Sequence, residues 1–289
     1  MVRPLIDRLI LVRWAESFVD DLDVMVFDWS ITARDLVLFI PNYGRKRYLR
    51  SCLSSLMQTR IPREQWLVLV GNDGLHEPMD EFRDEFNLAW FTLPRADPNV
   101  PRNGAFIRNY IIKRCRSRFL FQKDPEVALV SDDPGYDVVE RMMEIKPGKI
   151  WRNGRPFNME FPEEFISAGL PIDRSFIPRC PPPLPGLVGT HWGYCIRTAD
   201  LRAIRGYDER FTKYGPEDGD LFRRLIRLGF SFRYDPHVYA LHVHHVVETT
   251  GHEEMCALGR RIESDPPVRN DPDGWGEGGT KLVDSAATP

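Results

Sequence analysis

The sequence predicts an α/β protein with a mostly parallel central sheet, helices on both faces of that sheet, and a single domain. Three observations predict this class. Short apolar runs alternate with helix-like stretches between residues 36 and 122, as they do when crossover helices join parallel strands. Of the 289 residues, 42% are hydrophobic and 11% aromatic, enough to bury a substantial core. Each predicted strand ends in polar or acidic residues, and ligands of such sheets bind beyond the carboxyl ends of the strands.

The first half of the chain carries four predicted strands. They are the apolar runs LVLFIP (36–41), WLVLVGNDG (66–74), LAWFTL (88–93) and FLFQ (119–122). Each has the length and the bounding turn residues of a buried strand. Helical stretches are predicted between them, at Leu49–Leu56, at 77–86 and at 103–115.

The pattern changes after about residue 147. The Pro- and Arg-rich segment 151–185 predicts an irregular loop. Apolar regularity returns at 186–196, and helices are then predicted at 198–205 and 217–229 and strands at 230–236 and 237–245. We divide the chain into an N-terminal extension (1–34), a first half (35–147), a second half (148–261) and a flexible tail (262–289).

Charge and cysteine usage exclude several classes of protein. The net charge is −3, and the six acidic and two basic residues after Arg261 give the tail −4, so the body is close to neutral. The five cysteines never form a CxxC pair, which favours reduced thiols over a disulfide framework. The N-terminal residues lack a signal peptide's form, and no window reaches the ~18 apolar residues of a membrane span. We expect a cytoplasmic protein and leave peripheral membrane attachment open.

The first candidate site is QKDPEV (122–127), where a predicted strand ends in Asp124 and Glu126. Side chains two residues apart in an extended segment point the same way, so both carboxylates can grip one hard cation. Mg²⁺ or Mn²⁺ bound by one or two carboxylates plus substrate phosphates is common in nucleotide sites. A solvated acidic turn explains the same residues, because Asp-Pro is frequent in turns.

Two further motifs lie in the first half. In GNDG (71–74), Asp73 can accept a hydrogen bond from a ligand or can cap its own turn. The stretch RNGAFIRNYIIKRCRSR (102–118) holds six bases and no acid. Cations near a helix start oppose the helix dipole, which favours a bound anion nearby. A diphosphate and a nucleic-acid backbone both fit this charge.

The segment LHVHH (241–245) offers three imidazoles. If it is a strand, His242 and His244 lie on one face and His245 on the other. Imidazole is the commonest metal ligand, so one of the pair can complete a site with the acidic residues of 122–127, although a lone histidine is more often structural. No cysteine lies at ligand spacing, which disfavours a self-contained zinc site.

The segment KYGPEDGDLFRRL (213–225) places Glu217, Asp218 and Asp220 between a Gly-Pro turn and a predicted helix. Acidic residues in a first helical turn interact favourably with the helix dipole, which explains one or two of the three. A carboxylate that stays ionised in a cleft can also remove a proton from a hydroxyl group. We interpret Asp220 as structural.

Together these motifs resemble the inverting family 2 glycosyltransferases with the GT-A fold, over roughly residues 35–246. LVLFIPNYGR (36–45) is similar to the family's opening segment beside the nucleobase, with Asn and Tyr in a different order. FLFQKDPEV (119–127) stands where the family has its Asp-x-Asp metal motif, with Glu126 in the second acidic place. The clearest similarity is residues 193–230, which resemble the family's acceptor-side block with its Glu-Asp pair.

The resemblance implies a nucleotide-sugar-binding first half and an acceptor-binding, catalytic second half. Nucleotide-sugar contacts are then expected from Pro41, Asn42, Tyr43, Arg45, Asp73, Arg108, Asn109 and Asp124. The metal, Mn²⁺ or Mg²⁺, is expected on Asp124, Glu126, His242 and His244. Acceptor contacts are expected from Trp192, Gly193 and Glu217, with Asp218 as general base and Glu217 beside it in the catalytic pair.

The implied activity is transfer of a hexose from a nucleotide sugar, UDP-linked, to an acceptor hydroxyl with inversion at the anomeric carbon. A sugar nucleotidyltransferase with an acidic metal pair is one alternative. A non-catalytic sugar- or nucleic-acid-binding protein of the same fold is another. The expected acceptors are a saccharide, a lipid-linked saccharide, a protein, or a polyanion such as modified DNA, which the basic stretches permit.

Overall fold

The computed structural model describes residues 27–95, 103–179, 192–245 and 249–277. The strands in this part of the chain are β1 Leu36–Asn42, β2 Trp66–Asp73, β3 Leu88–Leu93, β4 Phe119–Lys123, β5 Val127–Ser131, β6 Lys149–Met159, β7 Gly193–Arg197 and β8 Ser231–Val243. The helices are α1 Leu49–Leu53, α2 Arg83–Phe86, α3 Ala105–Arg114, α4 Val138–Met143, α5 Glu163–Ser167, α6 Thr198–Ala203, α7 Glu217–Arg227 and α8 His252–Arg261.

The described strands form one sheet in the order β3-β2-β1-β4-β7-β6-β8-β5. β1 pairs in parallel with β2 and β4, β2 with β3, and β6 with β8. β7 runs antiparallel to both β4 and β6, and β5 runs antiparallel to β8. The predicted α/β class with a mostly parallel central sheet is therefore confirmed.

Both faces of the sheet are buried under helices. Side chains alternate along β1, so Leu38 and Ile40 pack on one face and Val37 and Phe39 on the other. Helices α1 and α4 cover the first face, and α3, α6 and α7 cover the second. Burial on both faces explains why the strands of the first half are nearly continuous apolar runs. Among the described residues, no helix is both long enough and apolar enough to cross a bilayer.

The sheet curls so that its far edge returns to its middle. Only residues 124–126 join β4 to β5, yet three strands lie between these two in the sheet order. In a flat sheet β4 and β5 would lie about 19 Å apart, at ~4.8 Å per neighbour, whereas four residue steps reach about 14 Å at most. The curl therefore brings β5 and its partner β8 beside the carboxyl end of β4.

Two predictions for the second half were wrong. Over its described residues, 151–179, segment 151–185 is not an irregular loop, because it continues β6 to Met159 and then forms α5. Residues 180–185 lie outside the described part of the chain. The charged residue Arg152 made strand β6 difficult to predict. Arg152 is 2% exposed, and its guanidinium lies over the rings of Phe222 and Phe232 at 5.3 and 5.4 Å. The two strands predicted between 230 and 245 form one strand, β8.

The predicted terminal segments are partly folded onto the body. Of the N-terminal extension, residues 1–26 lie outside the described residues, whereas Trp29 packs against Phe91 at 5.5 Å. Residues 262–277, predicted as flexible tail, pack against the sheet's second face, where Trp275 is 8% exposed. Because this segment is acidic, its sequence did not indicate that Trp275 is buried. Residues 278–289 lie outside the described part.

Candidate functional site

A cavity of about 190 Å³ opens where β1, β2 and β4 end. This edge of a parallel sheet is where ligands of such folds bind. Its lining includes seven of the eight residues predicted to contact a nucleotide sugar, namely Pro41, Asn42, Tyr43, Arg45, Asp73, Arg108 and Asp124, together with Glu126. The fold thus gathers residues that are distant in the sequence into one polar cavity.

Asp73 closes one side of this cavity together with Arg95. The Arg95 guanidinium donates to both carboxylate oxygens of Asp73, at 2.6 and 3.1 Å, and lies over the ring of Tyr43 at 4.7 Å. Gly74 permits this approach, because at φ +89° a Cβ would lie 2.6 Å from Arg95 Cδ. Arg95 was not predicted from the sequence, because an arginine just after a strand looks like any surface arginine.

Asn109 does not line the cavity and is 0% exposed. Its amide donates to the Tyr207 carbonyl at 2.8 Å and to Glu209 at 2.9 Å, and its oxygen accepts from the Tyr207 amide at 2.7 Å. This side chain joins α3 to the turn before α7 and is not placed to touch a nucleotide sugar. Asn42 does line the cavity, where it donates to Asn72 Oδ1 at 2.8 Å.

Glu126, His242 and His245 form a candidate metal group, with ligand atoms within 4.8 Å of one another. His245 Nε2 lies 2.7 Å from Glu126 Oε1, and His242 Nε2 lies 3.7 Å from the same oxygen. The ladder between β5 and β8 sets part of this geometry, because His242 pairs with Val127, the residue after Glu126.

His244, a predicted ligand, does not belong to this group. β8 ends at Val243, so the alternation of side chains predicted to continue to residue 245 stops there. His244 is exposed and donates its backbone amide to the Met159 carbonyl at 2.8 Å. His245 turns toward Glu126 in its place. Only the end of a strand distinguishes the two histidines, and element ends are difficult to locate from sequence.

The metal group fits a divalent ion. Burial opposes ionisation of Glu126, but the imidazoles of His242 and His245 and the charge of Arg45 prevail and hold its pKa well below the usual range. Glu126 Oε2 and His242 Nδ1 are buried and have no hydrogen-bond partner among the described residues. Such unpaired atoms in a carboxylate–imidazole set suit Mn²⁺ or another divalent transition ion.

Asp124 lies in the cavity beside this group. Burial and the neighbouring Glu126 carboxylate raise the pKa of Asp124 to about 7, against the opposing effect of Arg108. Lys123, which is 0% exposed, donates to the Asp124 carbonyl at 2.9 Å. This buried ammonium fixes the backbone from which both predicted acidic ligands project.

Arg108 links Asp124 to the start of α7. Its Nη2 lies 3.6 Å from Asp124, and its Nη1 lies 3.0 Å from Glu217 and 3.5 Å from Asp218. Burial and the Asp218 carboxylate raise the pKa of Glu217, and Arg108 opposes this rise. Glu217 Oε2 and Asp218 Oδ1 are buried without a hydrogen bond among the described residues. We call Arg108, Asp124, Glu217 and Asp218 the cleft cluster.

The predicted acceptor residues lie next to the metal group and the cleft cluster. The Trp192 ring stacks on His242, with centroids 4.7 Å apart and planes at 21°. Gly193 begins β7, and a Cβ there would lie 2.9 Å from Phe121 Cζ, so this position requires glycine for packing. Tyr214, which the sequence analysis missed, is 46% exposed on the loop that leads into α7 and offers an aromatic surface near the cleft.

Comparison with known protein families gives a match over part of the chain. Residues 182–248 match the family described as the N-terminal domain of galactosyltransferase. That match contains β7, α7 and β8 and confirms the resemblance to glycosyltransferases. No curated protein sequence matches the chain.

Among solved structures, S. aureus TarS has a TM-score of 0.46 at 16% identity, covering 71% of this chain and 36% of that one. Residues 1–349 of TarS in complex with UDP-GlcNAc have a TM-score of 0.47 at 15% identity, covering 73% and 59%. The mannosyltransferase PcManGT from Pyrobaculum calidifontis, in complex with GDP-Man and Mn²⁺, has a TM-score of 0.46 at 12% identity, covering 81% and 61%. The chain therefore corresponds to less than two thirds of each of these structures.

Proposed function

We propose that this protein is a metal-dependent glycosyltransferase that moves a hexose from a nucleotide sugar to an acceptor hydroxyl. The observation that best supports this function is the position of Arg108, which contacts Asp124 on one side and Glu217 and Asp218 on the other. The Arg108 guanidinium therefore lies between Asp124, on the proposed donor side of the cleft, and Asp218, the proposed base. One sugar ring bound in this cleft would contact both sides.

The donor is proposed to be UDP-linked and to lie in the 190 Å³ cavity. Tyr43 and Arg95, stacked at 4.7 Å, offer a flat surface for a nucleobase, because arginine and aromatic faces both stack on planar rings. Arg45 lines the same cavity and can pair with the diphosphate, since a guanidinium binds phosphate in a bidentate manner.

Asp124, Glu126, His242 and His245 are proposed to hold Mn²⁺ or Mg²⁺. The bound ion would act as a Lewis acid that stabilises negative charge on the departing diphosphate. The two imidazoles favour Mn²⁺, because Mg²⁺ takes oxygen ligands. Lys123 supports this side by holding the Asp124 carbonyl at 2.9 Å.

Asp218 is proposed as the general base and Glu217 as an acceptor-orienting residue. Asp218 would take the acceptor hydroxyl's proton while that oxygen bonds to the anomeric carbon, and the sugar–phosphate bond electrons would leave with the diphosphate. Attack from the face opposite the diphosphate inverts the anomeric carbon. Both residues lie in the first turn of α7, where the helix dipole favours carboxylates. Trp192 and the Gly193 backbone would complete the acceptor side.

A donor-by-acceptor screen with Mn²⁺ and Mg²⁺ tests this function. We expect release of a free nucleoside diphosphate together with a glycosylated product of opposite anomeric configuration. Release of pyrophosphate would instead identify a nucleotidyltransferase, and binding of a nucleotide sugar without turnover would identify a non-catalytic binder. A steep dependence of transfer on salt concentration would identify a polyanionic acceptor such as modified DNA.

Metal removal provides a second test of the same function. We expect EDTA to abolish nucleoside diphosphate release and Mn²⁺ to restore it, because the leaving charge would otherwise be unscreened. Glu126→Gln should abolish the restoration by Mn²⁺. Transfer that continues unchanged in EDTA would contradict the metal-dependent mechanism.

A further inference from the structure

The metal group is in contact with an internal cation, the guanidinium of Arg45. Arg45 Nη1 lies 2.7 Å from Glu126 Oε1 and 2.5 Å from His245 Nε2. Those two ligand atoms are themselves 2.7 Å apart. One cationic nitrogen therefore faces two of the atoms that would hold a divalent ion.

These three contacts cannot all be hydrogen bonds. A guanidinium only donates, so His245 Nε2 accepts from Arg45 only when it is unprotonated and donates to Glu126 only when it is protonated, and it cannot do both. As a metal ligand Nε2 is unprotonated, and it then has no proton to give to Glu126, although the two atoms lie 2.7 Å apart. Two atoms with lone pairs, Glu126 Oε1 and His245 Nε2, then both face the cationic Arg45 Nη1. Ligands are arranged in this way around a metal ion.

Arg45 satisfies this group only in part. Glu126 Oε2 and His242 Nδ1 stay buried and without a hydrogen bond among the described residues. A divalent ion has more coordination positions and a higher charge than one guanidinium nitrogen, so it can also use Glu126 Oε2, which Arg45 leaves unpaired. The two cations need the same oxygen, and they repel each other at this distance.

We propose that Arg45 is a resident counter-cation of the metal group, which a divalent ion displaces into the neighbouring cavity, where the freed guanidinium binds the donor diphosphate. This inference rests on the proposed function, because it takes the group as a metal site. The Arg45 side chain is 28% exposed and lines the cavity, so it can turn without disturbing the core. Its backbone amide stays bonded to Asn42 Oδ1 at 3.2 Å.

The displacement couples the ion to the donor. Without a nucleotide, the ion must compete with Arg45 and binds weakly. With a diphosphate present, Arg45 has another anionic partner and the ion meets less competition. Because such coupling is reciprocal, the ion also strengthens diphosphate binding by releasing Arg45. The site therefore retains its ion best when a donor is present.

Binding of Mn²⁺ alone to the full chain tests this competition, measured by the paramagnetic resonance signal of the free ion. We expect Arg45→Ala and Arg45→Met to bind Mn²⁺ about tenfold more tightly than the wild type, since both remove the competing cation. Arg47→Ala is the matched control. Arg47 contacts Glu163 and its side chain is 55% exposed, so its removal should leave the Mn²⁺ affinity unchanged. Glu126→Gln should abolish binding.

Two further measurements show whether the change in Mn²⁺ affinity arises at the metal group. Trp192 stacks on His242, so Mn²⁺ should quench its fluorescence, and Trp192→Phe should remove that change. At saturating Mn²⁺, Arg45→Ala should bind UDP about tenfold more weakly than the wild type, because the freed guanidinium is missing. The substitution thus acts in opposite directions on the ion and on the nucleotide, which a merely structural role would not produce.

The outcomes separate this inference from the proposed function. Equal or weaker Mn²⁺ binding by Arg45→Ala, while Glu126→Gln still abolishes binding, overturns the role of Arg45 and leaves the metal site intact. Absence of Mn²⁺ binding in both the wild type and Arg45→Ala overturns the metal site as well. Tighter binding by Arg45→Ala in a protein that transfers no sugar supports the competition and counts against the transferase.

Discussion

Helix α7 contributes carboxylates to two clusters that differ in how many of their carboxylate oxygens have a hydrogen bond. Asp220 accepts from Arg224 Nε and from Arg269 Nη1, both at 2.8 Å, so each of its oxygens has a partner. On the preceding residues of the same turn, Glu217 Oε2 and Asp218 Oδ1 are buried without a hydrogen bond among the described residues. The Asp220 side chain is 1% exposed, that of Glu217 11% and that of Asp218 21%, so the two clusters differ in burial as well as in hydrogen bonding. A closed network, in which each carboxylate oxygen has a hydrogen-bond partner, stabilises the fold. An open network, in which buried oxygens have none, can bind a ligand.

The closed network, which we call the latch cluster, consists of Asp208, Arg210, Asp220, Arg224 and Arg269. Asp208 accepts from Arg210 at 2.8 Å and from Arg269 at 3.2 Å. Burial opposes ionisation of Asp208, but the bonds from Arg210 and Arg269 prevail and lower its pKa. Arg269 belongs to the folded part of the predicted tail, so this cluster fastens that segment to α7.

The largest expected effect separates Asp218 from Asp220. Asp218→Asn should lower kcat by about 10²–10⁴-fold, because general-base assistance typically contributes that much, and should leave the free energy of unfolding nearly unchanged. Asp220→Asn is the matched control: the same isosteric change two residues later should cost stability and leave kcat of the folded protein within a few fold. Steady-state kinetics and urea denaturation of both variants measure this. A stable, fully active Asp218→Asn enzyme contradicts the assignment of the base.

The second largest expected effect concerns the stability provided by the latch cluster. Arg269→Ala should lower the free energy of unfolding by about 3 kcal/mol, since it removes a charge from a buried network and leaves two carboxylates with one partner fewer. Arg260→Ala, at an exposed position on α8, is the matched control and should change stability by less than about 0.5 kcal/mol. Similar urea midpoints for the two variants would show that the latch contributes nothing to stability.

The smallest effect is a dependence of stability on pH. The fold lowers the pKa of Asp208 below its usual 3.8, so its ionised form is favoured in the folded state. The resulting stability is complete above about pH 4 and is lost as the pH falls through the folded pKa. Asp208→Asn should therefore lower the free energy of unfolding by about 1–2 kcal/mol at pH 7, and by less below pH 4. Urea titrations at pH 7, 5 and 3.5 measure this, and a difference that grows toward acid would contradict it.

Strands β1 to β4 could be predicted from the sequence because burial on both faces makes them nearly continuous apolar runs, whereas β5 was not predicted. The same reasoning failed for β6, where Arg152 stands in the strand and the aromatic rings over it come from Phe222 and Phe232. No local pattern reveals that a charged residue will be covered by rings that lie 70 and 80 positions away in the chain.

The cavity residues could be predicted because they follow strand ends within short motifs. The residues that complete the clusters could not, since their partners are set by tertiary contacts. Arg95 reaches Asp73, and Arg269 reaches Asp220, across 22 and 49 positions. Asn109 was assigned to the ligand because residues 102–109 resemble the family's segment beside the nucleotide, yet its side chain turns into the protein.

The pairing of Val127 with His242 has a consequence for how this metal site can change. His242 is held by the register of two antiparallel strands, and Glu126 directly precedes β5, where its carbonyl accepts from the Val243 amide at 2.9 Å. Neither residue can therefore shift gradually. Removing one residue from β8 upstream of His242 would bring Val243 opposite Val127, and inserting one would bring Leu241 there. Both are apolar. The site can therefore be lost in a single step of register, whereas substitutions elsewhere in β8 leave it aligned.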